Sequence, residues 1–215
     1  GPRLGDDLID FYPVDAEQEG LVSEYTDLMV ERTVELVGNA LAALAPASLH
    51  IGDGKTTFAV NRRNNREADV PDLIAKGIPL VGPVDHNVPV ITVTRPDGKL
   101  EAVVFGYACH PTTLSFTTWC GDYPGFAQLE LENNHPGITA MFINTCGGDQ
   151  NPLPRREVKL CEKYGHMLAV AVEEALAKPL QPVSSGMKTA FELLDLSYLN
   201  VVSREQLMGL LQDSN

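Results

Sequence analysis

Two kinds of hydrophobic periodicity divide this chain into helices and strands. Between Ser23 and Ala45, apolar residues recur at intervals of three and four with acidic residues between them, which predicts an amphipathic helix that Pro46 ends. The same periodicity predicts a second long helix between Arg156 and Lys178. Shorter apolar runs without this spacing predict strands over residues 88–94, 100–108 and 138–143.

Turn-forming residues show how these elements connect. Asp97 and Gly98 predict a tight hairpin between the strands 88–94 and 100–108, because glycine supplies the positive φ that such a turn needs. Asp53 and Gly54 predict a similar turn, which would fold residues 49–60 into a strand pair. An acid before Pro124 predicts a third helix from Asp122 to about Asn134.

The order of the elements indicates the fold class. The chain begins with a helix, continues with β-hairpins and then alternates strands with helices, with no internal repeat or low-complexity linker. This order predicts an α/β (α+β) fold in which a mixed β-sheet with β-hairpins is packed by amphipathic helices.

Composition and charge exclude several classes of partner. The chain has 215 residues, 44% of them apolar and 21% charged, which is ordinary for a globular domain. A formal net charge of -13 argues against nucleic acid or an anionic membrane as the main partner, because both repel such a field. No apolar run approaches the roughly 18 residues of a membrane-spanning helix, and no signal-peptide pattern opens the sequence as given. Neither the composition nor the charge predicts an oligomeric state.

The cysteines carry no recognisable motif. Cys109, Cys120, Cys146 and Cys161 form no C-x-x-C pair, so neither a zinc ribbon nor a thioredoxin-like site is predicted. Cys109 and Cys120 could pair in an oxidising compartment, and spacing alone leaves this open. Cys146 lies in a glycine-rich turn, where a nucleophilic role is conceivable.

Two polar loops that follow strands contain the candidate chemistry. The sequence YACHPTT places His110 at the end of a strand, before a proline that stops regular structure. A histidine in this position can present a neutral ring nitrogen to a metal or a substrate. After the next strand comes NTCGGDQNPLP, residues 144–154, which combines amide, hydroxyl, thiol and carboxylate groups. We therefore expect both loops to line one cleft.

These motifs resemble a known family. YACHPTT, GDYPGFAQ and NTCGGDQNPLP, with NRR at Asn61 to Arg63, occur in the order found in the neutral/alkaline, non-lysosomal ceramidase N-terminal domain family, in particular its bacterial ceramidase-like branch. The resemblance implies that residues 1–215 are part of a single catalytic domain truncated at both ends. Gly1 and Pro2 match the tail of a further family motif, although Gly-Pro is also what a protease site leaves behind. The family favours a secreted or periplasmic protein.

The resemblance also implies a zinc-dependent amidase and its site residues. His110 matches a zinc ligand of the family, and the other ligands would lie outside this chain. Asp122 matches a family aspartate that would orient His110 as an outer-shell hydrogen-bond acceptor. The expected catalytic residues are Arg62, the backbone N–H groups of Gly147 and Gly148 as oxyanion stabilisers, Asp149, and Asn151 at the position of a family serine. The substrate would be a small or lipid-like molecule with a linear amide bond.

One residue departs from the family pattern. Ceramidases have a serine needed for activity where this chain has Asn151. An amide cannot act as an alkoxide nucleophile, although it can hydrogen-bond a substrate. Three functions therefore stay open: a zinc-dependent amidohydrolase, a non-catalytic binding relative, and a metal-free hydrolase that uses Cys146 or Thr145. Each of these residues also has a structural alternative: Asp122 as a cap of its helix, Asp149 as a partner of the amides of its turn, and Arg62 as part of a solvated charge run. The remaining histidines match no motif and are expected to be structural or surface residues: His50, His86, His135 and His166.

Overall fold

The computed structural model describes residues 15–184, 186–197 and 201–212, and the chain divides into two units at Val183. The helices are α1 (Ala16–Ala42), α2 (Val70–Ala75), α3 (Asp122–Asn134), α4 (Val158–Leu176) and α5 (Arg204–Gln212). The strands are β1 (Ser48–Lys55), β2 (Ala59–Asn61), β3 (Asn87–Thr94), β4 (Leu100–Tyr107), β5 (Thr139–Asn144), β6 (Gln150–Pro152) and β7 (Gln181–Pro182).

A mixed sheet of five strands organises the first unit, in the order β5-β4-β3-β1-β7. β3 and β4 form the predicted antiparallel hairpin, in which Gly98 has a φ of 83° and Lys99 N–H donates to the Asp97 carboxylate. β4 and β5 are parallel, and α3 makes the crossover between them. The predicted α/β class, with a mixed sheet, a hairpin and packed helices, is confirmed.

Helices α3 and α4 cover one face of this sheet and enclose the core. Phe105 and Val103 of β4 are buried against them, together with Leu131 and Leu168 of the helices. Gly165 allows α3 and α4 to approach closely, since a Cβ at this position would lie 2.5 Å from Phe126 Cβ. The core thus depends on one helix pair and one sheet face.

The opposite face of the sheet is apolar and exposed in the described part of the chain. The strand register aligns Ile51, Ile91, Val104 and Met141 in one row across four strands. Ile51, Ile91 and Met141 are 43%, 38% and 45% exposed. Strands β3, β4 and β5 therefore carry hydrophobic residues on both faces, and α3 and α4 pack against one of these faces.

The predicted turn at Asp53 and Gly54 is wrong. β1 runs through both residues, which pair with Pro89 and Val88 of β3. Gly54 serves a packing role instead, because a Cβ there would lie 2.0 Å from the carbonyl oxygen of Ala171 in α4. The glycine that suggested a turn is what lets a helix rest on the strand.

Two short strands missed by sequence analysis form a second sheet. β2 and β6 pair antiparallel, with Val60 opposite Asn151 and Asn61 opposite Gln150. Val60, Val70 and Leu153 make a small buried cluster beside this sheet. Strands of three residues are too short to show periodicity, so the sequence could not predict them.

The first helix begins earlier than its apolar periodicity indicates. α1 starts at Ala16, because Asp15 forms a capping box with Gln18: the Asp15 carboxylate accepts from Gln18 N–H at 2.8 Å. No described residue of α1 is buried.

The second unit, described over residues 184, 186–197 and 201–212, contains α5. Ser203 Oγ accepts a hydrogen bond from Gln206 N–H at 3.2 Å and so caps this helix. None of the described helices of either unit is long and apolar enough to cross a lipid bilayer.

Candidate functional site

The two loops that sequence analysis singled out do meet. Their contact lies where β4 ends beside the β2–β6 sheet: His110 N–H donates to the Gln150 carbonyl at 3.0 Å, and Thr145 N–H donates to the Tyr107 carbonyl at 3.2 Å. The parallel pairing of β4 with β5 brings the carboxyl ends of both strands to the same edge of the sheet. The site is therefore a corner of the fold, formed by the loop segments that follow β2, β4 and β5.

His110 has a defined orientation in this corner. Its Nδ1 lies 2.7 Å from the carbonyl oxygen of Gly147. Because a carbonyl oxygen only accepts, Nδ1 carries a proton, and in the neutral imidazole Nε2 keeps its lone pair. This arrangement is how a metal-binding histidine is usually held, with one nitrogen bonded to backbone and the other free for a ligand bond.

The close approach of the two loops requires Gly147. A Cβ on this residue would lie 2.5 Å from Cys109 N and 2.6 Å from the Ala108 carbonyl carbon. Any side chain would therefore push the turn away from the end of β4. Such a displacement of the turn would break the hydrogen bond between His110 Nδ1 and the Gly147 carbonyl.

The two glycines do not offer equivalent donors. The Gly147 N–H, which we expected to stabilise an oxyanion, already donates to the Thr145 carbonyl at 2.7 Å. Gly148 N–H has no acceptor among the described residues, and Gly148 is exposed. The backbone donor expected of this turn is therefore Gly148.

Arg62 lies over the same turn. Its Nε and Nη2 donate to the Gly148 carbonyl at 3.2 and 2.9 Å, and its backbone N–H donates to the Asp149 carbonyl at 2.8 Å. A guanidinium has five donors in a fixed plane, so the remaining N–H groups of this exposed side chain stay available. Arg62 thus brings positive charge to the turn while fixing its shape.

Asn61, which the sequence analysis did not select as a site residue, connects this corner. Its Nδ2 donates to the Asp149 carboxylate at 3.2 Å and to the Pro83 carbonyl at 2.8 Å. Its Oδ1 accepts from the N–H groups of Arg63 and Asn64. This pattern is an Asx turn, and the asparagine-rich run NRRNN was its only signal in the sequence. Asp149 is therefore held in place by a neighbouring amide.

Asn151 is buried and incompletely hydrogen-bonded. It is 5% exposed, and its Oδ1 has no partner among the described residues. Directly opposed residues of a strand pair lie on the same face, so Asn151 shares its face with Val60. A buried acceptor without a donor is rare in proteins and calls for a ligand or another explanation.

Asp122 does not orient His110, contrary to expectation. Its two carboxylate oxygens accept from Leu114 N–H at 3.0 Å and from Tyr123 N–H at 2.8 Å, while the Gly147 carbonyl takes the proton of His110 Nδ1. The φ of Asp122 is 50°, an unfavourable value for a residue other than glycine, aspartate or asparagine. Asp122 therefore organises the start of α3 and the loop that follows His110.

The thiols of the core are poor nucleophiles. Burial raises the pKa of the Cys161 thiol to about 12 and that of the Cys109 thiol even higher. All four cysteines are free, so the pairing of Cys109 with Cys120 that spacing left open is not formed. Cys146 is exposed, and no described hydrogen bond joins it to a base.

His110 is the predicted metal ligand of this corner. Among the residues that the structure describes, no group of three or more histidine, cysteine, aspartate or glutamate side chains could hold a metal ion. The described residues therefore fit a zinc site only in part, with one nitrogen of the several ligands that zinc needs. His86, His135 and His166 bond the Ala59 carbonyl, Glu173 and Glu130, respectively, which suits the structural role expected of them.

Comparisons with known proteins find similarity of structure but not of sequence. No protein-family model and no curated protein matches the chain. A structure described as ceramidase complexed with C2 is 20% identical, with a TM-score of 0.56 over 68% of this chain and 25% of that chain. The neutral ceramidase from Pseudomonas aeruginosa is 19% identical, with a TM-score of 0.56 over 70% of this chain and 26% of that chain.

The chain shares the fold of part of a ceramidase. The resemblance that the motifs suggested is confirmed at this level, and the chain spans about a quarter of either ceramidase structure. An identity near one fifth establishes the fold alone. The chemistry has to be argued from the corner around His110.

Proposed function

We propose that this protein is a ceramidase-like, zinc-dependent hydrolase of a linear amide bond in a lipid-like substrate. The observation that supports it most is the hydrogen bond from His110 Nδ1 to the Gly147 carbonyl, which leaves Nε2 available. The ceramidase fold and the matching motifs support the same proposal. Because the described residues include no group of three potential ligands, the proposal requires further ligands from outside them.

Each residue of the corner has a task in this proposal. Zinc, when bound, would polarise the amide carbonyl and lower the pKa of a water molecule. His110 would hold it through Nε2. Gly148 N–H and the free N–H groups of Arg62 would stabilise negative charge that develops on the carbonyl oxygen. Asp149, fixed by Asn61, would keep the turn in the required shape.

The first experiment measures zinc in purified protein. We expect about one equivalent per chain, a stoichiometric loss in His110→Ala and no change in His166→Ala, a control at a histidine whose side chain is 65% exposed. Release of fatty acid from a ceramide should stop when zinc is chelated and return when zinc is restored. Zinc content that does not depend on His110 would contradict the proposal.

A second candidate function is a non-catalytic binding protein with the same fold. Asn151 favours it, because an amide stands where ceramidases have a serine. The variant Asn151→Ser separates the two candidates. If the parent protein binds zinc and a ceramide without hydrolysing the amide, and the variant hydrolyses it, the binding function is correct. Activity that survives chelation but is lost in Cys146→Ala would instead identify a metal-free hydrolase.

A further inference from the structure

The side chain of Arg155 connects two loops of the site. Its Nε and Nη2 donate to the two carboxylate oxygens of Glu67 at 2.8 and 2.5 Å. Its Nη1 donates to the Thr112 carbonyl at 3.2 Å and to Thr112 Oγ1 at 3.0 Å. The Arg155 side chain is 13% exposed, so water competes little for these bonds.

Thr112 follows His110 by two residues and is hydrogen-bonded to its backbone. Thr112 N–H donates to the His110 carbonyl at 2.8 Å, which closes the loop tightly. The next residue, Thr113, accepts at its carbonyl from the backbone N–H of Arg156 at 2.7 Å. Residues 155 and 156 therefore hold the segment that immediately follows the imidazole.

Glu67 gives Arg155 its fixed position. It lies in the polar loop that follows Arg62, so the guanidinium joins the loop of one candidate catalytic residue to the loop of the candidate ligand. Arg155 holds the pKa of the Glu67 carboxyl below its usual range, mainly through their hydrogen bonds, so the pair is charged at neutral pH. The planar fork of arginine bonds a carboxylate bidentately on one side and still has a donor for a carbonyl on the other.

We propose that Arg155 is a positioning residue that sets the orientation of the His110 imidazole by tying Thr112 to Glu67. No described hydrogen bond joins it to the imidazole or to the turn at Gly147, and it acts through the backbone of the loop. The orientation itself is a property of the fold, and only its consequence for zinc affinity rests on the function proposed above.

The direct test observes the imidazole by nitrogen NMR in protein labelled at histidine, at a pH of about 8.5, where an ordinary imidazole is neutral. The parent protein should show His110 as a single tautomer with the proton on Nδ1, its signals assigned by their loss in His110→Gln. In Arg155→Met we expect both tautomers, and amide hydrogen exchange at Thr112 at least about tenfold faster. Glu67 keeps a partner in this variant, since Arg156 Nε lies 3.3 Å from its Oε1.

Matched variants separate positioning from general stability. Arg95→Met removes an arginine–glutamate pair at the β3–β4 turn. It should leave the His110 tautomer and the amide exchange at Thr112 unchanged. Thr112→Val removes one of the Arg155 bonds and should have a smaller effect in the same direction. If Arg155→Met does not fold, Glu67→Gln and Thr112→Val replace it, since each keeps the shape of the original side chain. A mixture of His110 tautomers in these variants would support the positioning role, and an unchanged tautomer in both would contradict it.

Zinc affinity then distinguishes the two proposals. Loss of an outer-shell partner typically weakens metal binding by about 10- to 100-fold, and we expect a loss of this size in Arg155→Met. If the tautomer shifts but the parent protein binds no zinc, Arg155 positions the imidazole and the proposed function fails. If the parent protein binds zinc and the Arg155 and Glu67 variants match it in tautomer, exchange and affinity, the positioning role is wrong.

Discussion

Helices α4 and α1 have similar amphipathic sequences and opposite surroundings. α4 buries Leu168 and Val172 completely, whereas Leu36 and Leu41 of α1 are 67% and 63% exposed. The 27 described residues of α1 include none that is buried. A repeat of apolar residues at intervals of three and four therefore predicts a helix, but it does not predict what the helix packs against. Substitutions at equivalent kinds of position in the two helices can test this difference.

The largest expected effect is from truncating a leucine. Leu168→Ala should lower the free energy of unfolding by about 2–5 kcal/mol, because it leaves a cavity in the core. Leu36→Ala should change it by less than about 0.5 kcal/mol. Urea unfolding of both variants measures the difference. Equal losses, or a loss in Leu36→Ala that grows with protein concentration, would show that α1 is packed in solution.

The second test adds a methyl group to a glycine in α4. Gly165→Ala should destabilise the protein by about 1–3 kcal/mol, because the new Cβ would lie 2.5 Å from Phe126 Cβ and 3.0 Å from the Tyr123 carbonyl oxygen. Thermal unfolding monitored by circular dichroism measures the change. A neutral result would mean that α3 and α4 separate more easily than their packing indicates.

The same substitution in α1 should have the opposite sign. Gly38 has no atom within 4 Å of the position of an added Cβ, so Gly38→Ala should gain the helix propensity of alanine, about 0.5–1 kcal/mol. The increase should appear in the helical signal of α1 as well as in the unfolding temperature. A loss of stability would show that α1 makes a close contact at this position.

The smallest expected effect is the difference in stability contributed by an exposed and a less exposed ion pair. The Arg32–Glu35 pair of α1 has side chains 69% and 56% exposed, whereas Arg155 of the Arg155–Glu67 pair is 13% exposed. The pKa of Glu67 is lowered in the folded protein, so its contribution to stability is present at neutral pH and is lost as the pH falls below the ordinary value of 4.5. Glu67→Gln should therefore be less stable than the parent at pH 7, and the difference should shrink on acidification.

The control for this prediction is Glu35→Gln, which should stay within about 0.5 kcal/mol of the parent across the same range of pH. Chemical unfolding at a series of pH values measures both variants. If the Glu67→Gln difference does not change with pH, the carboxylate is not stabilised by Arg155.

Local sequence was sufficient where a turn or the start of a helix depends on one or two adjacent residues. Gly98 and Asp97 identified the β3–β4 hairpin, and Pro124 marked the first turn of α3. Gly54 failed as a turn signal because glycine also serves close packing, and the contact with Ala171 is far away in sequence. Local patterns cannot distinguish these two uses of glycine.

In the candidate site, too, some features follow from local sequence and others depend on tertiary packing. The sequence by itself determined that His110 follows a strand and that a glycine-rich turn follows another, and the family motifs associated the two. Only the tertiary structure decided that Gly147, not Asp122, bonds the imidazole, and that Arg155 reaches both Glu67 and Thr112. The physical reason is that these bonds join residues far apart in the chain, whose distances depend on how β4, β5 and the β2–β6 sheet pack rather than on any local preference.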